Sequence, residues 1–392
     1  MNAMKNITKN MPELRFPEFS GEWKLEKFDN IFLKKSYKNY QINKSEYLSN
    51  GLYPVIDQGK EKIVGYSNDF DKTINASENN IIVFGDHTRE IKFIDFDCII
   101  GADGTQLLRI KGNFDLKFFY YQLLNKKIPN MGYARHFKFL KKINFSYPSL
   151  PEQQKIAAFL TAVDKKIELT DKKIKHLENY KKGLMQKLLT GKIRFPEFND
   201  EWRVVRLQDV IKRISTGLNP RNNFKLGYGQ NYYITIKNIN NGKLNLSKCE
   251  KIDDDALFLI NKRSNLQKYD IIISSIGNIG EAYLLKSAPV NWNINESVFS
   301  LKTNNKIIPE FLYYIITNDI SKTYFENNST GSSFKSIKIK DLKNMPFDFP
   351  SLPEQQKIAS FLSAVDKKIE LVTKKLENLK AYKKGLLQKM FV

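Results

Sequence analysis

Two stretches of the chain carry the same apolar spacing. From Leu160, apolar residues recur at Val163, Ile167, Ile174, Leu177, Leu184 and Leu188, with Thr170 and Lys181 filling the positions left over. The second stretch has Leu362, Val365, Ile369, Val372, Leu376, Leu379, Leu386 and Met390, and Lys383 stands where Lys181 stood. Steps of three and four make this a heptad seam. Pro148 and Pro151 mark the start of the first helix, and Glu152 falls in the first turn, where the helix dipole favours an acid. Each helix is expected to run for about 40 residues, roughly 60 Å. A helix this long and this polar needs a partner for its stripe, and the other copy is the natural one.

The seams sit inside a longer repeat. Residues 148–190 and 350–392 align without a gap and agree at 30 of 43 positions. A second pair flanks them: LRFPEFSGEW at 14–23 and IRFPEFNDEW at 193–202. Agreement on this scale means duplication. The chain therefore divides into an N-terminal frame segment (1–23), a first variable region (24–147), a central long helix (148–192), a second variable region with its linking motif (193–349) and a C-terminal long helix (350–392). The variable regions differ in length and share little obvious sequence, so the frame reads as duplicated and its cargo as unlike. An internal pseudo-two-fold axis would set the helices antiparallel, as an intramolecular coiled coil separating two globular domains. It would also bring Val392 near Leu14, much as Thr190 runs into Ile193.

Both variable regions read as mixed α/β (α+β). In the first, Tyr53–Ile56, Ile81–Phe84, Ile91–Ile94 and Leu107–Ile110 have strand character, with turns at Asn50-Gly51, Asp103-Gly104 and Lys111-Gly112 and a helix over Phe114–Leu124. In the second, Tyr232–Ile236 and Ile271–Ser274 read as strands and Pro309–Ile316 as a helix. Each region ends in a polar, basic loop and a short helix before the prolines.

Charge narrows the partner. The formal net charge is +22 over 392 residues, which favours a polyanion. The surplus is spread: 24–147 carries 20 basic and 14 acidic groups (+6), and 203–349 carries 21 and 13 (+8). Cys98 and Cys249 are the only cysteines, too few for a disulfide framework or a cysteine metal site. No apolar run approaches the ~20 residues of a membrane helix, and the first residues lack a signal-peptide core, so a cytoplasmic protein away from membranes is expected.

The loops supply candidate contacts. Tyr133, Arg135, His136 and Lys138 lie in the first pre-helix loop, and Thr330, Ser332, Ser333 and Lys335 in the second. His87 and Arg89 come from GDHTR at 85–89, Arg221 and Asn222 from STGLNPRN at 215–222, and Asn278 from SSIGNIG at 274–280. Arg and Lys pair with phosphates or guanine edges, Asn, Ser and Thr reach bases or phosphates, and Gly admits close backbone approach. No phosphate-binding P-loop, dinucleotide loop, zinc spacing or HExxH occurs.

The (S)LPEQQKIA-xFL-xAxDxxIxL helix starts, the KKGLxQK helix ends and the RFPEF-xxEW links resemble the specificity subunit of Type I restriction-modification enzymes. The motifs cover about a quarter of the chain, and the two-region layout covers all of it. The resemblance implies two target-recognition domains, each reading half of a bipartite site in double-stranded DNA, with the helices as a ruler. It further implies a chain that is non-catalytic alone and binds no cofactor itself. Two modification (methyltransferase) subunits would use S-adenosylmethionine, and two ATP-dependent restriction subunits would use ATP and Mg. A self-contained DNA methyltransferase or nuclease, and a coiled-coil scaffold without sequence readout, are the alternatives.

Overall fold

The computed structural model describes residues 10–33, 37–101, 104–132, 134–331 and 335–392. Residues 1–171 with 373–392 form one compact unit, and 172–372 form the second. Both expected long helices are present, at Leu150–Leu188 and Leu352–Met390, each of 39 residues. No helix among the described residues is long and apolar enough to cross a membrane.

The first unit is built around a four-stranded antiparallel sheet in the order Phe32–Leu33, Thr105–Ile110, Ile81–Gly85, Ile91–Ile94. Its central strand Ile81–Gly85 is buried along its whole length because both faces are covered. Ile82 and Phe84 pack under the helix Leu116–Asn125 with Phe118 and Phe119. Ile81 and Val83 pack against Ile56, Ile74, Cys98 and Ile100 of a second sheet. Two-sided burial explains a continuous apolar run where a half-exposed strand would alternate. In the second sheet Tyr53–Ile56 runs parallel to Cys98–Gly101.

The second unit repeats this plan. Its antiparallel sheet runs Ile211–Thr216, Val298–Thr303, Ile271–Ser274, Ala282–Leu284. Ile271 and Ile273 face the core that contains Phe311, Leu312 and Ile315 of the helix Pro309–Thr317, while Ile272 faces Ile234 and Ile294 of a second sheet. There Asn231–Ile234 runs parallel to Trp292–Ile294. The unlike cargo expected from the sequence is therefore corrected: the domain fold is duplicated too, carried by different apolar residues. The chief addition is the helix Asp254–Ser264, capped by the Asp253 side chain, which packs on Trp292–Ile294 and Ile211–Thr216.

Each domain is closed by a short antiparallel pair, Lys24–Lys27 with Asn144–Tyr147 and Arg203–Arg206 with Pro346–Phe349. These pairs hand the chain to the prolines of the long helices. In the first unit Ile156, Ala157, Leu160 and Val163 of the first long helix share a core with Leu386, Met390 and Phe391 from the end of the second. In the second unit Met185, Leu188 and Leu189 share one with Ile358, Ala359 and Leu362. Start meets end in both, which is antiparallel packing.

The frame motifs are tied by repeated polar contacts. Arg15 forks onto Glu152, with Nε to Oε1 and a terminal nitrogen to Oε2 both at 2.7 Å. Arg194 does the same to Glu354 at 2.9 and 2.8 Å, and the Trp202 indole adds 2.9 Å to Oε2. Both glutamates are buried. The neighbouring Gln153 and Gln355 accept from the backbone N–H of Asp115 and Ile308, the residues that open the two domain helices, at 3.0 and 2.9 Å. Phe16 stands edge-on to Phe159, as Phe195 does to Phe361. The Leu14 N–H donates to the Lys389 carbonyl at 2.8 Å, matching Ile193 to Lys187 at 3.2 Å, and the Lys126 ammonium reaches the Val392 carbonyl at 3.1 Å. The chain end thus lies beside the first frame motif, as symmetry predicts.

Removing Glu354 would leave the Arg194 guanidinium and the Trp202 N–H without their shared acceptor. Glu354→Ala is expected to lower stability by about 1 kcal/mol, chiefly because the Trp202 N–H loses its acceptor, since the partly exposed Arg194 can turn to solvent. The shift in urea midpoint measures it, with Glu354→Gln falling between the two.

Candidate nucleic-acid interface

In each domain the polar loops rise from one floor built by backbone hydrogen bonds. In the first, the Asp86 N–H donates to the Gly104 carbonyl at 2.7 Å, and the His136 N–H donates to the Asp86 carbonyl at 2.8 Å. In the second, the Ser275 N–H donates to the Ser297 carbonyl at 3.1 Å, and the Ile337 N–H to the Ser275 carbonyl at 2.9 Å. The same three chain segments are joined in the same order. The end of a central strand is thus fixed between the start of its neighbour strand and the loop that precedes the short helix. Those short helices are Phe137–Leu140 and Ile339–Lys343.

The first crown gathers His87, Arg89, Arg135 and Lys138. His87 and Arg89 sit on the turn between Ile81–Gly85 and Ile91–Ile94. Arg89 holds φ +65°, unusual for a residue with a Cβ, and one guanidinium nitrogen donates to the Ile128 carbonyl at 3.2 Å. Backbone held in such a conformation is found where the fold over-determines a loop. Arg135 is exposed on the adjacent loop, and Lys138, expected in that loop, is exposed on the first turn of the short helix Phe137–Leu140 instead. Tyr133 lies outside the described residues.

His136 is a different case. It is fully buried, so it does not reach a surface ligand as placed. The Met131 N–H donates to its Nε2 at 3.2 Å, which leaves the proton on Nδ1, 2.9 Å from the Asp86 carbonyl. The Asp86 carboxylate accepts from the Phe137 N–H at 2.7 Å. His136 is thus the pin that holds the loop carrying Arg135 against the strand end.

Sequence reasoning passed over the loop 57–62, which completes this crown. The Gln58 side chain accepts from the His87 N–H at 3.1 Å, and its carbonyl accepts from the Thr88 hydroxyl. Gly85 permits this: a Cβ there would lie 2.7 Å from the Gln58 carbonyl oxygen. Lys92 reaches up from its strand to the carbonyls of Asp57 and Glu61, and burial pulls its ammonium below its ordinary pKa. Lys60 and Lys62 are left exposed on the same loop. A polar, glycine-containing run directly after a strand was the available signal.

The second crown carries Arg221, Asn222, Asn278, Thr330 and Lys335, all exposed. The Gly277 N–H donates to the Lys335 carbonyl at 3.0 Å, and Thr330 pairs with Ser336 through both backbone bonds, which brings the Asn278 and Lys335 loops side by side. Ser332 and Ser333 lie outside the described residues. The loop bearing Arg221 and Asn222 is tied to the same floor through 295–297. The Gly217 N–H donates to the Asn295 carbonyl at 3.0 Å, Asn219 donates to Glu296 at 2.8 Å, and the Tyr233 hydroxyl donates to the Leu218 carbonyl at 2.7 Å. A Cβ on Gly217 would fall 1.6 Å from the Ile294 carbonyl oxygen, so only glycine lets the loop leave the strand here. The exposed Lys237 follows the strand Asn231–Ile234 as Lys60 follows Tyr53–Ile56.

Chemically, both crowns offer cations and polar side chains on a rigid base. That suits phosphate pairing and hydrogen bonding to base edges. Among the described residues no three His, Cys, Asp or Glu groups come together to hold a metal.

Comparison with known proteins bears on these crowns. A model of the Type I restriction modification DNA specificity domain matches the chain twice, over residues 21–179 and 199–381. The MjaVIII specificity subunit of a Type I restriction enzyme from Methanocaldococcus jannaschii is 26% identical over 420 residues, spanning 97% of this chain and 93% of that protein. The match to the MjaX specificity subunit of the same organism is 29% identical over 264 residues and spans 63% of this chain and 58% of that protein. The EcoR124I/EcoR124II specificity subunit of Escherichia coli is 23% identical over 351 residues. The crystal structure of a Type-I restriction-modification S subunit from M. genitalium shares the fold, with a TM-score of 0.63 and 18% identity over 97% of this chain and 99% of that one.

The pin at His136 makes a checkable difference. His136→Ala removes one buried and one partly buried hydrogen bond and is expected to lower local stability by about 2 kcal/mol. Amide hydrogen exchange at Met131 and Phe137 should quicken by roughly an order of magnitude or more, while Lys138→Ala leaves both unchanged.

Proposed function

Because the chain belongs to the Type I restriction-modification DNA specificity family, we propose that each of its two crowns reads one half of a bipartite site in double-stranded DNA. The observation that carries this reading is the shared floor under unlike tips. Asp86, Gly104 and His136 repeat the backbone bonding of Ser275, Ser297 and Ile337, yet the side chains above them differ in kind. One crown presents Arg89, Arg135 and Lys138. The other presents Arg221, Asn222, Asn278, Thr330 and Lys335. Two different half-sites require that combination, because phosphate contacts fix the register while base-edge contacts differ from one half to the other.

The long helices set the gap between half-sites and dock the methyltransferase subunits. Their outer faces support two equivalent dockings. Leu169 and Leu371 occupy equivalent repeat positions and are both exposed, and so do Tyr180 and Tyr382. The short closing strands add Leu25 and Val204. Apolar residues left exposed at matching positions suit a partner that binds in two copies. On this reading two methyltransferase subunits carry S-adenosylmethionine, two restriction subunits carry ATP and Mg, and this chain supplies sequence selection without chemistry of its own.

The deciding experiment exchanges 24–147 for the corresponding region of another family member and sequences the methylome of a host carrying the complete system. One half-site should change and the other stay. If both halves change, or neither does, the assignment of one domain to one half-site fails. At single residues, Arg135→Ala or Lys335→Ala should each weaken binding of the complex about tenfold and reduce the salt dependence of the affinity by about one phosphate contact, read by titration across salt concentrations.

A further inference from the structure

Lysine interrupts the heptad seam at two equivalent positions, and both lysines make the same contacts. Lys383 Nζ stands 2.6 Å from Asp164 Oδ1 on the first long helix and 5.5 Å from the centre of the Tyr121 ring. The Tyr121 hydroxyl donates to Asp164 Oδ2 at 2.9 Å and lies 3.3 Å from the Thr161 hydroxyl. Lys181 Nζ stands 2.6 Å from Asp366 Oδ1 on the second long helix and 5.4 Å from the Tyr314 ring. The Tyr314 hydroxyl donates to Asp366 Oδ2 at 2.7 Å and lies 3.2 Å from the Ser363 hydroxyl. Each cluster therefore joins three elements: both long helices and the helix of the domain seated on them, Leu116–Asn125 or Pro309–Thr317.

The chemistry is that of a registration device. A lysine in a seam gives up apolar burial, so a cluster repeated twice is poorly explained as a stabiliser. It does discriminate. Sliding one helix by a turn carries the ammonium about 5.4 Å from its carboxylate, sets the largely covered lysine against apolar seam positions and strips the tyrosine hydroxyl of its acceptor. An apolar seam alone tolerates such slips far better. The tyrosines enforce the same choice from the domain side. They are buried, burial raises their hydroxyl pKa, and they remain donors that only the aspartate and its neighbouring hydroxyl satisfy.

We propose that Asp164–Lys383–Tyr121 and Asp366–Lys181–Tyr314 are register locks. They are positioning residues that fix one alignment of the paired helices and seat each domain on them, and thereby fix the gap at which the two half-sites are accepted. The statement about the gap rests on the specificity reading above; the statement about helix alignment does not.

Two measurements separate these levels. Nitroxides placed at the exposed positions Tyr180→Cys and Leu371→Cys, with Cys249→Ser, report the helix alignment in the full-length chain by pulsed electron spin resonance. The combined variant Lys181→Leu, Asp366→Leu, Tyr314→Phe removes one lock as a unit. It should keep its melting temperature while the single spin–spin distance becomes broad or multiple. In the complex with methyltransferase subunits, methylation of sites whose gap differs by one base pair should rise by roughly tenfold relative to the native gap, with both half-site sequences unchanged. An unaltered distance distribution together with unaltered gap selectivity overturns the proposal. Broadened distances in a system with no bipartite preference keep the locks and reject the specificity reading. Should the triple variant not fold, the charge exchange Lys181→Asp with Asp366→Lys decides: it must restore a narrower distribution than Lys181→Asp alone, and equal breadth in the two overturns the lock.

Discussion

A buried glutamate in the first turn of each long helix is the constraint on which the frame depends. Glu152 and Glu354 sit out of water, where an unpaired carboxylate is strongly disfavoured. Each is acceptable because an arginine from the linking motif forks onto it, a geometry that lysine cannot reproduce. The glutamine that follows holds the backbone at the start of the domain helix. One turn of helix therefore fixes the linking motif, the domain and its own start together. Ile156, Ala157 and Leu160 after that turn in the first helix, and Ile358, Ala359 and Leu362 in the second, are buried beside this polar core, while the proline immediately before each glutamate stays exposed.

This explains what the sequence reveals and what it conceals. The seam, the repeat and the central strands are local signals, and they were legible. The helix-dipole reading of Glu152 was true but minor, because the arginine partner is 137 residues away and cannot be found by spacing. The common plan of the two domains was hidden because a strand buried on both faces asks only for apolar bulk. Ile82 and Phe84 do in one sheet what Ile271 and Ile273 do in the other. The helix Asp254–Ser264 was missed because the apolar Phe258 and Leu259 stand on its exposed side and blur the stripe of Ala256, Leu257 and Ile260, although Asp253 caps it in the usual way.

The candidate site was legible in composition more than in role. Arg89, Arg135, Lys335 and Asn278 were picked as residues of the right chemistry, and the floor gathers them into two groups. His136 looked like one of them because histidine in a basic loop suits a surface. Its ring instead satisfies one backbone group of the loop, the Met131 N–H, and one of the strand end, the Asp86 carbonyl. The division of labour is physical. Backbone bonds that do not depend on side-chain identity form the floor, so the tips can differ without disturbing it.

The two kinds of ion pair in the frame differ in a way that matches their places. The arginine–glutamate pairs are forked, dry on the acid side and confined to the joint between link and helix, where a single rigid geometry is needed. The lysine–aspartate pairs lie in the seam with about a fifth of each lysine side chain still exposed, at 19% for Lys383 and 22% for Lys181. A compact ammonium there contributes little net stability, since solvent screens it and its burial costs desolvation. What it adds is a difference between the correct alignment and its neighbours along an otherwise repetitive stripe. A heptad seam is periodic and cannot by itself say where along its length two helices stop sliding. Two point charges at fixed places can, and the tyrosines bind that decision to the domains.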